Sequence, residues 1–335
     1  TLVIALVLAD AAWAQREVVV LAPPTVDERP VLVQAPPPPP VLVPEERWVE
    51  IVPAFRADFG VRTWISTGQS SLSVAGANGT PPTLSHLRWS RLNNTIFEVT
   101  ADLVWRDRWI LDIDLGAGTS GGGTLRDRDF NDDGSLSSDT AHRLRNDQLF
   151  YFSFDLGYRF AAIEFDRRPG RFTFDGLIGF QHWEERYRAF DGVDLYPGTR
   201  VFTPGLTATN RFLWDSLRLG ARAKLEYPRW SVEGRIYVIP FTSFEDTDIH
   251  HRRDDVRHDP SFIDRADGGG GVQGDLTFRY RLTPYMNLEA GYRWWSLRSG
   301  DGYTITRTDD ADFISPFNGA RTFRHGLTLG LSFWF

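Results

Sequence analysis

Cysteine is absent from the 335 residues, and the chain contains a single methionine. Without thiols it can form no disulfide framework, thiolate nucleophile or cysteine-based metal site. The formal net charge of −7 argues against a general nucleic-acid binder, which carries an excess of basic side chains. No run of apolar residues approaches the ~20 that a membrane-spanning helix needs. Residence in a membrane would therefore depend on β-strands.

The first 53 residues differ in composition from the rest of the chain. Residues 1–15 are mainly apolar and contain Ala12-Trp13-Ala14, which has the small-x-small pattern of a signal-peptidase site. We therefore expect residues 1–14 to be the remnant of a signal peptide. Residues 15–53 are rich in proline, which removes backbone donors and fixes φ. They predict an extended periplasmic segment, either a plain spacer or a ligand for a periplasmic partner.

Beyond Phe55 the hydrophobic side chains alternate with polar ones. Phe97, Val99 and Leu103 would face one way and Glu98 the other, because successive side chains of a strand point to opposite sides. This pattern predicts one apolar face and one polar face. Ten segments show it: 55–65, 95–105, 109–117, 150–160, 172–180, 217–227, 230–238, 272–282, 286–294 and 323–335.

Short turns alternate with longer connections between these segments, as in outer-membrane barrels with periplasmic turns and extracellular loops. A soluble β-sandwich is the competing architecture, but it would not usually place opposite charges such as Glu233 and Arg235 together on its polar faces. The last strand ends on Phe335, which resembles the recognition signal read by the barrel assembly machinery, an expected partner. We predict an all-β fold, a ten-stranded antiparallel transmembrane β-barrel over residues 54–335 in the bacterial outer membrane.

Ten strands also limit what the barrel can do. Side chains largely fill an interior of this size, whereas aqueous pores need ~16 strands. A general porin is therefore not expected, and any function beyond anchoring is expected on the rim and the loops.

Two long loops carry most of the chemistry. The second contains Asp127 and Asp129, and the fourth contains Asp246, Asp248 and His250. In a closed barrel these loops leave the same rim on opposite walls, so they can face each other across the mouth. A carboxylate beside a histidine raises the basicity of the imidazole, which can then take a proton from water.

These residues resemble the motifs of the omptins, outer-membrane endoproteases of Gram-negative bacteria. The resemblance lies in Asp-x-Asp-aromatic at residues 127–130 and Asp-x-Asp-x-His at residues 246–250, and it extends over residues 55–335. Further segments follow in the family's order: Leu87-Arg88-Trp89, Gly179-Phe180-Gln181, Glu184-Glu185-Arg186-Tyr187 and Asn210-Arg211-Phe212.

The resemblance implies an aspartic-type endopeptidase that acts on peptides or proteins. Asp248 and His250 would form the dyad that activates water, with Asp127 and Asp129 as the opposite pair. Asp246 would lie at the base of the pocket that receives a basic side chain before the scissile bond.

Omptins also require lipopolysaccharide as an activator, and no other cofactor is expected. The resemblance places Glu184, Arg186 and Arg211 at the lipid-contacting positions. Guanidinium groups bind phosphate with bidentate geometry, which suits this role. The alternative for both arginines is salt bridging at the rim.

The chain departs from the omptin pattern at residues 67–72, where the family supplies a pocket glutamate and this sequence offers Leu72 or a serine. One carboxylate in place of two would weaken selection for arginine or lysine. A non-enzymatic barrel therefore competes with the protease. Its acidic loops would bind Ca²⁺, lipopolysaccharide or a surface partner.

A calcium loop is the second interpretation of the acidic segment after residue 128. Asp129, Asn131 and Asp133 alternate as oxygen ligands do at the start of such a loop, although Thr140 stands where a bidentate glutamate is expected. Ordinary turns are also rich in Asp and Asn. The remaining histidines, among them His142, are scattered over different loops and predict no zinc site.

Overall fold

The structure, a computed structural model, describes residues 55–165, 169–199 and 201–335. The predicted signal remnant (1–14) and proline-rich segment (15–53) lie outside these ranges. No helix in them is long and apolar enough to cross a membrane. The strands are β1 (Phe55–Val74), β2 (Ser85–Trp105), β3 (Trp109–Phe130), β4 (Leu136–Leu144), β5 (Gln148–Glu164), β6 (Arg171–Asp194), β7 (Phe202–Glu226), β8 (Trp230–His250), β9 (Phe262–Ala266), β10 (Gly269–Thr283), β11 (Met286–Ser299), β12 (Gly302–Arg307) and β13 (Asp312–Trp334).

Antiparallel pairing runs around the whole sheet, and β13 pairs with β1, so the sheet closes on itself. Ten strands form the wall, in the order β1, β2, β3, β5, β6, β7, β8, β10, β11 and β13. The prediction of a ten-stranded antiparallel barrel is confirmed. Three shorter strands were not predicted: β4 pairs with β3 and β6, β9 with β8 and β12, and β12 with β13.

Tight turns connect the strands at the end where the chain enters and leaves the barrel. At the turn between β2 and β3, Arg106 and Asp107 have positive φ values of 50° and 55°, as the two central residues of a type I′ turn do. The Asp107 carboxylate accepts hydrogen bonds from Arg56 (2.7 Å), Arg159 (2.6 Å) and Arg171. One turn carboxylate thus connects β1, β5 and β6 at this end.

The outer face of the wall carries a band of exposed apolar side chains, as the alternation predicts. Phe97 is 68% exposed, and similar side chains surround the barrel. An apolar band of this kind is the lipid-facing surface of a membrane barrel. Its members include Val99, Leu156, Phe160, Ile178, Ile236, Val238, Leu276, Leu327 and Leu329.

Paired charges fill the interior at the level of this band. Glu98 is 2% exposed and accepts hydrogen bonds from Arg62, Arg293 and Tyr151. Arg222 bridges carboxylates on other strands in the same way. Buried charges are tolerated only when each has partners of opposite sign. The interior is therefore packed with side chains, as the strand number predicts.

An aromatic layer lies between these ion pairs and the rim. Trp183 and Trp295 pack edge to face with ring centroids 4.4 Å apart, and Trp64 lies 5.1 Å from Trp295. Trp89 and Phe212 continue the layer across the barrel at 4.8 Å. All five side chains are buried and belong to one hydrophobic cluster. The cluster also contains apolar residues that line the rim cavity described next, so it forms the floor of that cavity.

Candidate active site

Strands β3 and β8 continue past the apolar band and carry the acidic residues of the rim. On one side they are separated by β5, β6 and β7, and on the other by β2, β1, β13, β11 and β10, so they stand on nearly opposite walls. Because side chains two residues apart share a face, Asp127 and Asp129 point inward together from β3, as do Asp246, Asp248 and His250 from β8.

These five side chains line one cavity of about 490 Å³ at the mouth of the barrel. Leu72, Leu87 and Leu125 also line it and belong to the buried hydrophobic cluster. The structure therefore brings all five predicted catalytic and substrate-pocket residues to one site. It has a polar wall on two sides and an apolar floor.

The first pair of this site is Asp248 and His250. His250 Nε2 lies 3.0 Å from Asp248 Oδ2, and the other carboxylate oxygen of Asp248 is buried with no hydrogen-bond partner in the described chain. Ser261 fixes the local backbone: its Oγ accepts from the His250 N–H (2.9 Å), and its own N–H donates to the Asp248 carbonyl (2.8 Å).

Electrostatics at the dyad favour a basic imidazole. Burial disfavours the charged form of His250, but Asp248 outweighs burial through its charge and its hydrogen bond, and Asp127 adds to the effect. The pKa of His250 is therefore raised above its usual value. When Nε2 carries the proton and donates it to Asp248, Nδ1 keeps the lone pair that a base requires.

The second pair, Asp127 and Asp129, stands on the facing wall. Ser85 Oγ donates to Asp127 Oδ1 (3.3 Å), and Ser138 Oγ donates to Asp129 Oδ2 (2.6 Å). Burial raises the pKa of Asp127 to about 7, and the charge of Asp129 adds to the increase while His250 opposes it. Two neighbouring carboxyl groups with one raised pKa can hold a proton near neutral pH.

A carboxylate that the sequence analysis missed completes the cavity. Asp264 of β9 lies opposite Asp246 in the β8–β9 ladder, and Thr304 donates a hydrogen bond to it. Asp246 accepts from Asn210 Nδ2 (3.0 Å) and from the Arg211 N–H (3.1 Å). The sequence gives little signal for Asp264, which stands between Ile263 and Arg265 in a strand of only five residues.

Asp246 and Asp264 both keep their protons to a higher pH than ordinary carboxyl groups do. Burial raises the pKa of Asp264 to about 7, against its hydrogen bond from Thr304. Burial also raises the pKa of Asp246 well above its usual value, and the charges of Asp248 and Asp264 raise it further. A cationic side chain entering here would relieve the repulsion and ionise the pair.

His142 also lines the cavity, although the sequence analysis placed it among scattered loops. It lies on β4, where Thr207 Oγ1 is 2.9 Å from Nδ1 and Thr140 Oγ1 is 3.1 Å from Nε2. Burial and the nearby His250 lower the pKa of His142 to about 4, so its ring is neutral at physiological pH. It supplies a polar wall beside the charged groups.

Leu72 occupies the inward position near the end of β1 and is buried in the wall of the cavity. The position where the omptins have a pocket glutamate and this sequence has Leu72 therefore lies in the cavity. The β1 side of the pocket is apolar here, whereas Asp264 adds a second carboxylate on the β8 side.

The residues considered for lipid contact lie on another part of the wall. Arg186 and Arg211 are register partners on β6 and β7. Arg211 binds the Glu184 carboxylate in bidentate fashion, with Nε to Oε1 at 2.7 Å and Nη2 to Oε2 at 3.0 Å. One arginine of the set is thus already engaged in a salt bridge at the rim.

The residues considered for calcium help to close the β3–β4 turn. Asp133 Oδ1 accepts from the Ser135 N–H (2.8 Å), and Asn131 Nδ2 donates to Ser135 Oγ (3.0 Å). Asp129 points instead into the cavity beside Ser138. Within the described ranges, no group of three or more His, Cys, Asp or Glu side chains is arranged to hold a metal ion.

Comparison with known proteins places the chain among outer-membrane proteins. The family model described as "Pom: Protochlamydia outer membrane protein" matches residues 59–335. The outer membrane protease OmpT from Escherichia coli superposes with a TM-score of 0.67 at 15% identity, over 84% of this chain and 97% of that one. At this identity the likeness concerns the fold.

Two further barrels are similar over most of their length at a lower TM-score of 0.32. Outer membrane protein OprG from Pseudomonas aeruginosa is 10% identical, over 84% of this chain and 95% of that one. The translocator domain of NalP from Neisseria meningitidis is 11% identical, over 81% and 88%. No curated protein matches the sequence.

Proposed function

Since the chain belongs to the Protochlamydia outer membrane protein family and carries a histidine–aspartate dyad opposite an aspartate pair at the mouth of its barrel, we propose that it is an outer-membrane endopeptidase of the omptin type. The observation that carries the proposal is the shared cavity. Asp248 and His250 enter it from β8, while Asp127 and Asp129 enter it from the facing wall. A peptide bond lying across the mouth would contact both pairs.

In this mechanism His250 takes a proton from a water molecule, and Asp248 stabilises the imidazolium that results. The water oxygen attacks the carbonyl carbon of the scissile bond, and the carbonyl oxygen becomes an oxyanion. The proton held by Asp127 and Asp129 forms a hydrogen bond to that oxyanion. When the C–N bond breaks, the imidazolium returns its proton to the leaving amine, and the dyad is ready for another cycle.

Asp246 and Asp264 would select the side chain before the scissile bond. A guanidinium or ammonium group entering between them gains two ionic partners, and its charge favours loss of the proton that the pair holds. Leu72 and Leu87 would pack against the aliphatic part of an arginine or lysine side chain. The proposed substrates are therefore peptides or proteins with a basic residue at this position.

Contact with lipopolysaccharide at Glu184, Arg186 and Arg211 belongs to the same proposal. These side chains lie on the β6–β7 wall, and the Arg211–Glu184 pair would orient one guanidinium toward a phosphate.

Phe335 is 75% exposed and its N–H donates to the Ala57 carbonyl (2.9 Å). In this proposal Phe335 is part of the signal that the barrel assembly machinery recognises, and its exposed side chain is accessible for that contact.

The test is reconstitution of the purified barrel with lipopolysaccharide, followed by incubation with peptides that contain paired basic residues. Wild type should cleave them, and His250→Ala should not. His251→Ala is the matched control, because His251 is the neighbouring histidine and contacts Thr209 rather than the cavity. If the wild-type protein does not cleave these peptides, the protease proposal fails and the non-enzymatic barrel with an acidic binding cavity is favoured.

A further inference from the structure

Three exposed arginines form a row on the outer wall, away from the cavity. Arg298 of β11 is the register partner of Arg321 of β13, and Ser71 of β1 lies between Arg321 and Arg88 of β2. Inward-facing neighbours such as Leu72 and Ala320 are buried, so the alternation directs all three arginines outward. We call Arg88, Arg298 and Arg321 the arginine row.

The row lies immediately beyond the lipid-facing band. Phe323 follows Arg321 by two residues on the same face, and Leu327 and Leu329 continue the band from there. Two residues of a strand span ~7 Å, so Arg321 stands about that far along the strand from the first exposed ring. Side chains at this depth are at the level of lipid headgroups.

Nothing in the described chain neutralises these charges. No carboxylate oxygen of the described residues lies within 4.0 Å of their guanidinium nitrogens. Arg88 donates to the neutral Gln69 side chain (2.9 Å). Like charges directly opposite each other in an antiparallel pair are destabilising, which applies to Arg298 and Arg321. A bound anion would remove this repulsion.

An open groove of about 1010 Å³ runs along the same wall and includes all three arginines. Its other end is apolar, with Phe323 and Val272 in the lining. Gly270 is the register partner of Arg298 and contributes no side chain to the groove. The groove therefore joins a cationic region to an apolar one, as an amphiphile requires.

We propose that the arginine row binds the phosphate group of a phosphorylated outer-leaflet lipid, with the lipid chain lying along the groove toward Phe323. The position beside the lipid-facing band favours a lipid over a soluble anion, because the groove can bind the acyl chain of a lipid while the arginines bind its phosphate. The site is on the β2–β1–β13–β11 wall, whereas Glu184 and Arg211 are on β6 and β7. The inference does not depend on the proposed protease.

The experiment measures lipid retention by the full-length protein. The protein is released from micelles that contain equal amounts of phosphatidic acid and diacylglycerol with the same acyl chains, and native mass spectrometry counts the lipids that remain bound. Wild type should retain phosphatidic acid in preference. Arg298→Gln and Arg321→Gln should each weaken retention about fivefold, the change equivalent to ~1 kcal/mol for one arginine near a membrane surface.

Two controls separate the site from general charge effects and from misfolding. Arg229→Gln removes the same charge from an exposed position in the β7–β8 turn and should leave retention unchanged. Arg321→Lys preserves the charge and should keep most of the binding. Folding of each variant is checked by its migration in unboiled gels.

Equal retention of phosphatidic acid by wild type and the arginine-row variants would overturn the inference. It would also be overturned if diacylglycerol were retained as well as phosphatidic acid. Release of the lipid by millimolar inorganic phosphate would assign the row to a soluble anion, which contradicts a lipid site.

Discussion

Asp246 lies directly opposite Asp264 in the β8–β9 ladder, and both carboxyl groups enter the cavity that also contains the dyad. Both carboxyl groups are buried, and the charge of Asp264 adds to the effect of burial and of Asp248 in raising the pKa of Asp246. The pair is arranged to receive a cation.

Replacement of Asp264 by asparagine should reduce selectivity for basic substrates. The amide keeps the shape and the hydrogen bond with Thr304 but removes one charge from the pocket. We expect kcat/KM for an arginine peptide to fall about 10- to 100-fold, as for loss of one charge-assisted hydrogen bond. A peptide with norleucine at the same position should be cleaved with little change. Loss of activity on both peptides alike would contradict a role in selectivity.

The same pair predicts how KM depends on pH. The pKa of Asp264 is raised to about 7, so the carboxyl group is protonated below that pH and ionised above it. An arginine side chain binds the ionised form, and KM for an arginine peptide should therefore fall as the pH rises through about 7. Steady-state kinetics at several pH values measure this effect. In Asp264→Asn the pH dependence of KM should be lost or strongly reduced. An unchanged dependence would show that another group controls substrate binding.

Asp127 predicts a pH-dependent change in stability. Its folded pKa, raised to about 7, exceeds the ordinary value near ~3.9. Between these two values the folded state binds more protons than the unfolded state, so this carboxyl group makes the protein less stable as the pH rises. Asp127→Asn should match the Tm of wild type near ~pH 4 and exceed it near ~pH 8. A Tm difference that does not change with pH would contradict the burial of this carboxyl group.

The ion pairs inside the barrel predict a large loss of stability when one of them is broken. Glu98→Gln leaves Arg62 and Arg293 without their shared carboxylate, and breaking such a buried pair costs about 3–5 kcal/mol. Chemical denaturation of the refolded barrel should show a clear loss of stability. Glu164→Gln is the control, because Glu164 is 71% exposed and its pair with Arg171 is worth ~1 kcal/mol or less. Equal effects of the two substitutions would contradict the interior network.

The alternation of hydrophobic and polar residues was sufficient to predict the wall of the barrel. Segments 95–105 and 109–117 are found within β2 and β3, because each lipid-facing side chain must be apolar where the strand crosses the membrane. The same strands continue to Ser85 and Phe130, beyond the predicted ends. Above the band both faces are polar or mixed, so the period-two signal fades although the backbone pairing continues.

The additional rim strands could not be predicted for the same reason. Strand β9 has five residues, and its place is set by pairing with β8 and β12 rather than by its own pattern. Asp264 and His142 both reach the cavity from such strands, so neither could be assigned to the site from the sequence. Asp127 and His250 were predicted because their motifs resemble a known family and lie next to regular strands.

In the proposed mechanism the two walls of the cavity act together, and a double-mutant cycle between Asp127 and His250 measures this cooperation. The values of kcat/KM are measured for wild type, Asp127→Asn, His250→Ala and the double variant on one peptide with paired basic residues. Groups that act on the same transition state are strongly non-additive. We predict that His250→Ala lowers kcat/KM by at least about a hundredfold and that the second substitution has little further effect. Full activity of His250→Ala, or effects that simply multiply in the double variant, would show that the two walls do not act on one transition state.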